Sequence, residues 1–377
     1  MTFDLAFLAV RLGIGVWLLA RLKPVPPASR AARRPACSVV VPARDEAGQL
    51  PETLSAVLDQ LQPDDELVVV DDHSTDGTAD TAIALGAQVV PSPPVPRGWT
   101  GKAWACFTGA EATTKPVIVF LDADTALAPG TLDAVVANVA GVGGVTSIQP
   151  YHRVPTRVEK LSAFFNVVAL MATDAFTPLG RRLPASAAFG PVLAVTRADY
   201  VRLDGHRAVG GEVIEDIALG QRWRADGQPV TCFAGRGTAS FRMYPGGWRE
   251  LVDGWTKNLA AGAAAVRLPT TLLTVLWVSL PLQATWDLAR LALGRPWAGA
   301  GWTLGLYAVV VAQLWWVLRR IGSFGLATAL LFPIPLLFFL AVFIRSAIRT
   351  VGGAPVRWKG RDVPTRPGTI GHGSGRS

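Results

Sequence analysis

The chain has 377 residues, half of them hydrophobic and only 17% charged, and its mean hydropathy is +0.33. That excludes an ordinary soluble enzyme and predicts membrane segments. The net charge of +8 gathers beside apolar runs, at Arg33, Arg34, Arg319, Arg320, Arg345 and Arg349, a distribution that anionic headgroups and the positive-inside rule explain and nucleic acid does not. Three cysteines, Cys37, Cys106 and Cys232, stand far apart without CxxC spacing, so neither a disulfide framework nor a zinc site is implied and a reducing compartment is expected.

Residues 3–22 (FDLAFLAVRLGIGVWLLARL) have the length of a bilayer-crossing helix, although Arg11 interrupts them. No small-residue cleavage site follows, so residues 1–22 are expected to stay as a membrane anchor rather than leave as a signal peptide. A basic, Pro-rich linker over 23–36 should hold the next domain on the cytoplasmic side. From Cys37 to about Arg153 short apolar runs alternate with helical periods: CSVVVP, ELVVVDD, AQVVP, VIVFLDAD and GVTSIQP, separated by LPETLSAVLDQL, TADTAIALG, GKAWACFTGAEAT and GTLDAVVANVA. The alternation predicts an α/β fold, a mainly parallel sheet with helices on both faces. Ligands of such sheets bind beyond the carboxyl ends of the strands, where DDHSTD and DADT fall.

Residues 154–265 are mixed. TRVEKLSAFFNVVALMATDAF predicts a helix, PVLAVTRADYVRL a strand then a helix, and GGEVIEDIALGQRWRADG a loop entering a helix. GGWRELVDGWTKNLAAGAAA predicts an amphipathic helix with interfacial tryptophans. Across 266–346 three segments are each long enough to span: LPTTLLTVLWVSLPLQATWDLARLAL, WAGAGWTLGLYAVVVAQLWWVL and FGLATALLFPIPLLFFLAVFI. Three crossings from a cytoplasmic domain would carry the basic tail outside. One segment is therefore expected not to cross, the first (broken by Pro281) or the last (broken by Pro333 and Pro335). The tail over 347–377 is expected on the cytoplasmic side with a disordered end.

The pair Asp122 and Asp124 in DADT admits three readings. In a haloacid-dehalogenase-type phosphatase the first Asp attacks phosphorus and the second is acid/base. In a nucleotide-sugar transferase the two carboxylates hold a divalent cation against a diphosphate. In a plain loop they cap the next helix. The phosphatase needs a downstream lysine and a GD-type acidic loop, and no GD loop follows. It also leaves unused the two strand-loop-helix units before DADT. One of these, SVVVPARDEAGQL, ends a strand at Pro42 and opens a polar loop. The other sets Asp71 beside Asp72 at a strand end, where two like charges repel unless a ligand such as a nucleobase N–H or a ribose hydroxyl uses them. In RGWTGKAWA, Lys102 follows a glycine at a helix start, placed to meet phosphate or simply solvated.

SVVVPARDE, VVVDDHSTDGT, GWTGKAWA, VIVFLDADT and GEVIEDIALGQRW occur in the order seen in family 2 glycosyltransferases, and roughly residues 37–260 resemble that family. The resemblance implies the GT-A (Rossmann-like) fold, with a donor half over 37–153 and an acceptor half over 154–265. GWTGKAWA, MYPGGWRELVDGWTKN and VRWKGRD further resemble the membrane-anchored branch that glycosylates lipids, and are similar to carotenoid (diaponeurosporenoate-type) and hopanoid-associated enzymes. The resemblance implies that Pro42, Ala43, Arg44 and Glu46 line the nucleotide pocket and that Asp72, with Asp71, reads the base. Lys102 and Asp122 would face the diphosphate, and Asp122 and Asp124 would hold Mn2+ or Mg2+. Asp216, with Glu215, would be the general base.

An inverting transfer needs its base on the sugar face opposite the departing diphosphate and charge stabilisation on the leaving-group side, so two separate carboxylate sets make physical sense. Gln221, Arg222 and Trp223 are contiguous and too close to Asp216 to be the QxxRW of polymerising relatives. A single transfer is expected, from a nucleotide sugar (UDP-glucose most simply) to a membrane lipid. A carotenoid or other isoprenoid is the first-choice acceptor, with polyprenyl phosphate and diacylglycerol- or ceramide-type lipids as alternatives. Trp255 and Lys257 either shape the acceptor end or anchor the interface. Trp358 and Arg361 either approach the active site or form a juxtamembrane basic patch. The expected setting is the cell membrane, multi-pass, with the catalytic domain cytoplasmic. A membrane scaffold with a dead domain would have no reason to keep both carboxylate sets.

Overall fold

The computed structural model describes residues 2–29, 33–183, 185–212, 214–262, 266–352, 356–358 and 361–363. β-Branched runs ending in proline or acid form β1 (Cys37–Ala43), β2 (Glu66–Asp71), β3 (Gln88–Pro91) and β4 (Val117–Leu121). Helices α2 (Leu50–Leu58), α3 (Thr78–Ala84) and α4 (Gly101–Glu111) lie between them. These strands are parallel, with Val39 opposite both Leu67 and Val119. Helix α4 lies close on the sheet because Gly109 has no side chain: a Cβ there would stand 2.3 Å from Val40 Cγ1. That contact sets the height of the first turn of α4, which carries Lys102.

The sheet is mainly parallel, as expected, but mixed, because one strand, β8, runs against the others. Its order is β3-β2-β1-β4-β8-β6-β9, completed by β6 (Val145–Gln149), β8 (Val192–Thr196) and β9 (Val230–Ala234). β8 runs antiparallel to both neighbours, pairing Phe120 with Leu193. The cause is local. The chain reaches β8 from the carboxyl end of β4, where Pro191 O accepts from Asp122 N at 3.0 Å, so it can only run back. A second sheet of β5 (Thr125–Leu127), β10 (Ala239–Phe241) and β7 (Tyr151–His152) sits beyond DADT and was not foreseen, its strands being two or three residues long. Helices α5 (Thr131–Val142), α6 (Ala163–Ala172), α7 (Arg197–Arg202) and α8 (Glu215–Ala225) complete the α/β domain.

Three helices among the described residues are long and apolar enough to cross a membrane: α10 (Leu268–Ala292), α11 (Ala300–Ile321) and α13 (Pro333–Gly352). Pro281 leaves α10 continuous, whereas the segment ahead of Pro333 splits into α12 (Gly325–Leu330) and α13. Both ends of this last stretch return to the α/β domain. Ser323 N donates to His152 O at 2.9 Å, and Ser346 Oγ donates to Thr256 O at 2.9 Å on α9 (Trp248–Gly262). The N-terminal helix α1 (Thr2–Leu18) has 17 residues, fewer than the expected span over 3–22 and fewer than the helices that can cross. It is seated against α10 and α11: Gln313 Nε2 donates to Leu12 O at 2.8 Å while Gln313 Oε1 accepts from Trp277 Nε1 at 2.9 Å. One apolar core joins α1, α6, α9, α10, α11 and α13 through Leu18, Phe164, Leu251, Trp277, Val310 and Phe339. In the tail, β11 (Val356–Trp358) and β12 (Arg361–Val363) form an antiparallel hairpin beside α9. Residues 364–377, expected to be disordered, lie outside the described residues.

Candidate active site

The loop after β1 is clasped by the loop after β2. Asp45 N donates to Ser74 Oγ (3.0 Å), Ala47 N to Asp76 Oδ2 (3.0 Å), Glu46 N to Thr78 Oγ1 (2.9 Å), and Thr75 N to Asp45 Oδ1 (2.9 Å). Ser74, Thr75 and Asp76 therefore serve mainly to brace this loop; Asp76 also accepts from Thr78 N at 3.1 Å. The crossed bonds hold Asp45 and His73 at φ 52° and 57°, a region costly for residues with a Cβ. Pro42, Ala43, Arg44, Glu46 and Asp72 then line one wall of a large cavity. Asp72 is buried, with Arg44 Nη1 at 3.7 Å from its carboxylate. Asp71, grouped with it from sequence, does not line the cavity.

The next wall is DADT. Asp122 leaves β4 with its N–H on Pro191 O, Thr53 Oγ1 donates to Ala123 O at 2.8 Å, and Thr125 Oγ1 to Asp124 Oδ1 at 3.2 Å. Asp122 and Asp124 both face the cavity. Lys102 Nζ lies 2.8 Å from Asp122 Oδ1 and 3.1 Å from Glu215 Oε1, so it bridges the two carboxylate sets that the sequence separates by nearly a hundred residues. Burial opposes its charge, but Asp122, Glu215 and Asp216 hold it well above the ordinary lysine range. Thr100 Oγ1 caps α4 by accepting from Ala103 N at 3.3 Å, and Thr100 N donates to Gly210 O at 2.7 Å, tying the Lys102 loop to the segment that leads into Glu215.

Glu215 and Asp216 open α8. Burial, then Glu215 and Asp122, push the Asp216 carboxyl up to about 7, with Lys102 opposing. Asp216 fits only because residue 190 is glycine, a position no sequence signal marked. Among the described residues no group of three or more His, Cys, Asp or Glu side chains is close enough to hold a metal ion by itself.

The third wall belongs to α9 and the segment before it. Tyr244 is buried and its hydroxyl accepts from Asn258 Nδ2 at 3.0 Å. Gly254 makes room for its ring, a Cβ there meeting Tyr244 Cε1 at 2.2 Å. Arg242, also lining the cavity, donates from Nε to Glu159 Oε1 at 2.7 Å. Trp255 is not an interfacial anchor. It is 5% exposed, stacks on Phe165 with centroids 4.7 Å apart, and donates from Nε1 to Ser162 Oγ at 3.0 Å. Lys257 faces the cavity, where burial lowers its ammonium to about 8 even though Glu215, Asp122 and Asp216 favour the charge. Trp358 and Arg361 pair across the β11–β12 hairpin. Arg242, Tyr244 and Asn258 were not singled out from sequence, because their nearness to DADT depends on the second sheet.

The cavity encloses about 1210 Å³ and does not stop at the α/β domain. From the carboxylates it continues between α6, α10 and α13, lined by Val168, Thr274, Val278, Leu282, Phe339 and Phe343. The cavity thus has polar groups at one end and an apolar limb among long apolar helices at the other, room for a polar and an apolar ligand side by side.

Residues 38–167 match the model of the glycosyl transferase family 2. The chain is 35% identical to a 4,4'-diaponeurosporenoate glycosyltransferase of Staphylococcus haemolyticus over 86% of this chain and 87% of that protein. It is 32% identical to the enzyme of the same name from Staphylococcus aureus, over 86% and 88%. Among solved structures, a mannosyltransferase from Pyrobaculum calidifontis, in complex with GDP-Man and Mn2+, superposes with a TM-score of 0.56, covering 92% of this chain and 97% of that one at 21% identity, a likeness of fold. With relatives above 30% identity along nearly its whole length, the chain belongs to glycosyl transferase family 2.

Proposed function

We propose that this protein is a membrane-bound inverting glycosyltransferase that moves one sugar from a nucleotide sugar, UDP-glucose most simply, to a hydroxyl or carboxylate on a carotenoid or other isoprenoid. The observation that carries this reading is the single cavity joining the nucleotide-side residues to the apolar limb between α6, α10 and α13. The relatives named for diaponeurosporenoate favour a carotenoid-like acceptor over polyprenyl phosphate or diacylglycerol. Family membership sets aside the phosphatase reading of DADT.

Pro42, Ala43, Arg44 and Glu46 would hold the nucleotide and Asp72 the base. A divalent cation suits the donor set: Asp122 and Asp124 offer hard carboxylate oxygens one residue apart on one wall, and a diphosphate and water can supply the remaining oxygen ligands that Mn2+ or Mg2+ takes. Its chemistry would be to offset charge building on the departing diphosphate. Lys102, bridging Asp122 and Glu215, fixes the distance between the leaving-group side and the acceptor side. Asp216, half-buried and raised toward neutrality, would take the proton of a hydroxyl acceptor.

Arg319 and Arg320 end α11, and Arg345 and Arg349 lie late in α13, all at the end nearest the α/β domain. By the positive-inside rule that domain would lie in the cytoplasm. α10 and α11 would cross as a pair, while α12 and α13 enter and return on the same face, which resolves the parity problem posed by three apolar segments and a basic tail. α1 would sit in the bilayer beside α10.

The test is release of nucleoside diphosphate from a panel of nucleotide sugars by detergent-solubilised protein with Mn2+. Wild type should cleave one donor, Asp124→Ala none, and Asp216→Asn should be slower. Absence of cleavage across the panel would defeat the proposal.

A further inference from the structure

Arg236, Arg319 and Arg320 come together where the α/β domain meets the end of α11. The turn between β9 and β10 is tight: Thr238 N and Ala239 N both donate to Gly235 O at 2.9 Å, and Gly237 takes φ 82°. Arg236 therefore stands exposed at its tip. The turn lies against the start of β7, since a Cβ on Gly235 would stand 2.5 Å from Pro150 Cα and 2.6 Å from Tyr151 N. The other end of β7 holds α11, where His152 forms a bridge with Gly322 directly after the helix. Two elements far apart in sequence thus deliver their arginines to one spot. Arg236 and Arg319 are both near enough to Arg320 for their charges to repel it. Other arginines at the surface meet acids: Arg153 pairs with Glu52, Arg202 with Asp199 and Asp226, and Arg345 with Asp253. Arg236, Arg319 and Arg320 have no such pair among the described residues. Like charges gathered without an acid raise one another's energy until an anion joins them. The Arg320 guanidinium also lies 4.2 Å from the centroid of the Trp316 ring, which gives the spot an aromatic wall.

We infer that Arg236, Arg319 and Arg320 form a binding site for the phosphate of an anionic phospholipid, with Trp316 beside its glycerol and first methylenes. Lipid is the occupant because the arginines stand at the end of a helix long and apolar enough to cross a membrane, at the level where headgroups and interfacial tryptophans lie. A zwitterionic headgroup carries its own cation beside the phosphate, and the arginines repel that cation. A headgroup with net negative charge is therefore selected. Once bound, it would fasten the end of α11 to the β9–β10 turn. Ala128 N donates to Thr238 O in that turn at 2.6 Å, so the lipid would also brace β5, the strand that follows DADT.

The experiment uses the full chain in an uncharged detergent, with phosphatidylglycerol and phosphatidylcholine of the same acyl chains as competing probes and native mass spectrometry as the readout. Wild type is expected to retain phosphatidylglycerol over phosphatidylcholine by about tenfold or more. Each arginine close to an anionic headgroup contributes a factor of about five, the equivalent of roughly 1 kcal/mol. Arg236→Gln and, separately, Arg319→Gln should therefore each lower the ratio about fivefold, and Arg236→Lys should keep most of it. Arg349→Gln removes the same charge late in α13, at the same end of the bundle, and should leave the ratio within about twofold. Equal retention of the two lipids by wild type overturns the inference. So does a loss in Arg349→Gln as large as that in Arg236→Gln, which would mean that the basic face as a whole attracts the lipid. Inorganic phosphate at millimolar concentration should leave the lipid bound; displacement would reassign the site to a free anion and overturn the inference too. Thermal melts show that each variant is folded. Retention is read by mass, so the outcome stands apart from the transferase function proposed above.

Discussion

Gly190 and Asp216 are fitted to each other: a Cβ on Gly190 would stand 2.6 Å from Asp216 Oδ2 and 2.9 Å from Cγ. Gly190 precedes β8 and Asp216 opens α8, so the fit joins the strand that reverses the sheet to the helix that presents the proposed base. In Gly190→Ala the carboxylate, being the end of a side chain, turns away more readily than backbone shifts. The expected outcome is a fall in kcat of about 100-fold, the cost of misplacing a reacting group by ~1 Å, with little change in Tm. Steady-state kinetics beside thermal unfolding tests this. A full kcat would show that Asp216 need not hold this position.

Asp216→Asn should separate the two acceptor chemistries. With a hydroxyl acceptor the loss of a general base is expected to lower kcat by roughly 10²–10⁴. With a carboxylate acceptor, which has no proton to give up, the fall should be much smaller. Equal losses with both acceptors would remove the base role.

Chelation with EDTA should abolish donor cleavage, and added Mn2+ or Mg2+ should restore it in wild type. Asp124→Ala should stay inactive on re-addition, and titration calorimetry should show that its affinity for nucleoside diphosphate no longer responds to metal. Metal-independent cleavage by wild type would overturn the assignment of Asp122 and Asp124.

Stability should depend on two buried histidines. Burial lowers His152 from 6.5 to about 4 and His206 to about 3, the latter with Lys102 adding to the effect. The unfolded chain therefore binds more protons between pH 4 and 6.5 than the folded one, so stability rises with pH through that window and is lost as pH falls below about 6.5. Thermal melts from pH 4 to 8 should show this slope, shallower in His206→Gln, which no longer carries a ring beside Tyr200 and Phe120. A melt flat across the window would contradict it.

Gly15 lets Trp277 reach Gln313, since a Cβ there would stand 2.4 Å from Trp277 Nε1. Gly15→Leu should unseat α1 and lower Tm in detergent measurably, overpacking costing about 1–3 kcal/mol of stability. An unchanged melt would mean that α1 contributes nothing to the bundle.

Much of the donor half could be read in advance because its signals are local: Val39 to Val41 and Val117 to Leu121 are unbroken apolar runs, and the acids follow them directly. DADT and Glu215-Asp216 were identified by residue type and order. What escaped depends on contacts distant in sequence. The reversal of β8 follows from where Pro191 meets Asp122, and Asp71 was grouped with Asp72 because a strand end alone does not say which of two neighbours turns inward. Lys102 was read as facing phosphate, but it also bridges Asp122 and Glu215, a pairing no motif spacing reveals. Trp255 offered an anchor or an acceptor role with equal force until Phe165 and Ser162 were found beside it. Gly190 and Gly254 were silent because a missing side chain has meaning only beside the group it admits.

The hydrogen bond from Gln313 to the Leu12 carbonyl joins residues 301 positions apart, and that separation is also an interval of time. A ribosome adding about 5–20 residues per second needs roughly 15–60 s to travel it. For that interval α1 has been made while Trp277 and Gln313 have not, and Arg11 and the bare face at Gly15 are without the bundle that later buries them. The α/β domain emerges and begins to fold during the wait. α1, made long before the helices that hold it, is thus seated late, and a nascent chain stalled before Gln313 would hold a shaped catalytic domain on a tether that has not yet found its place.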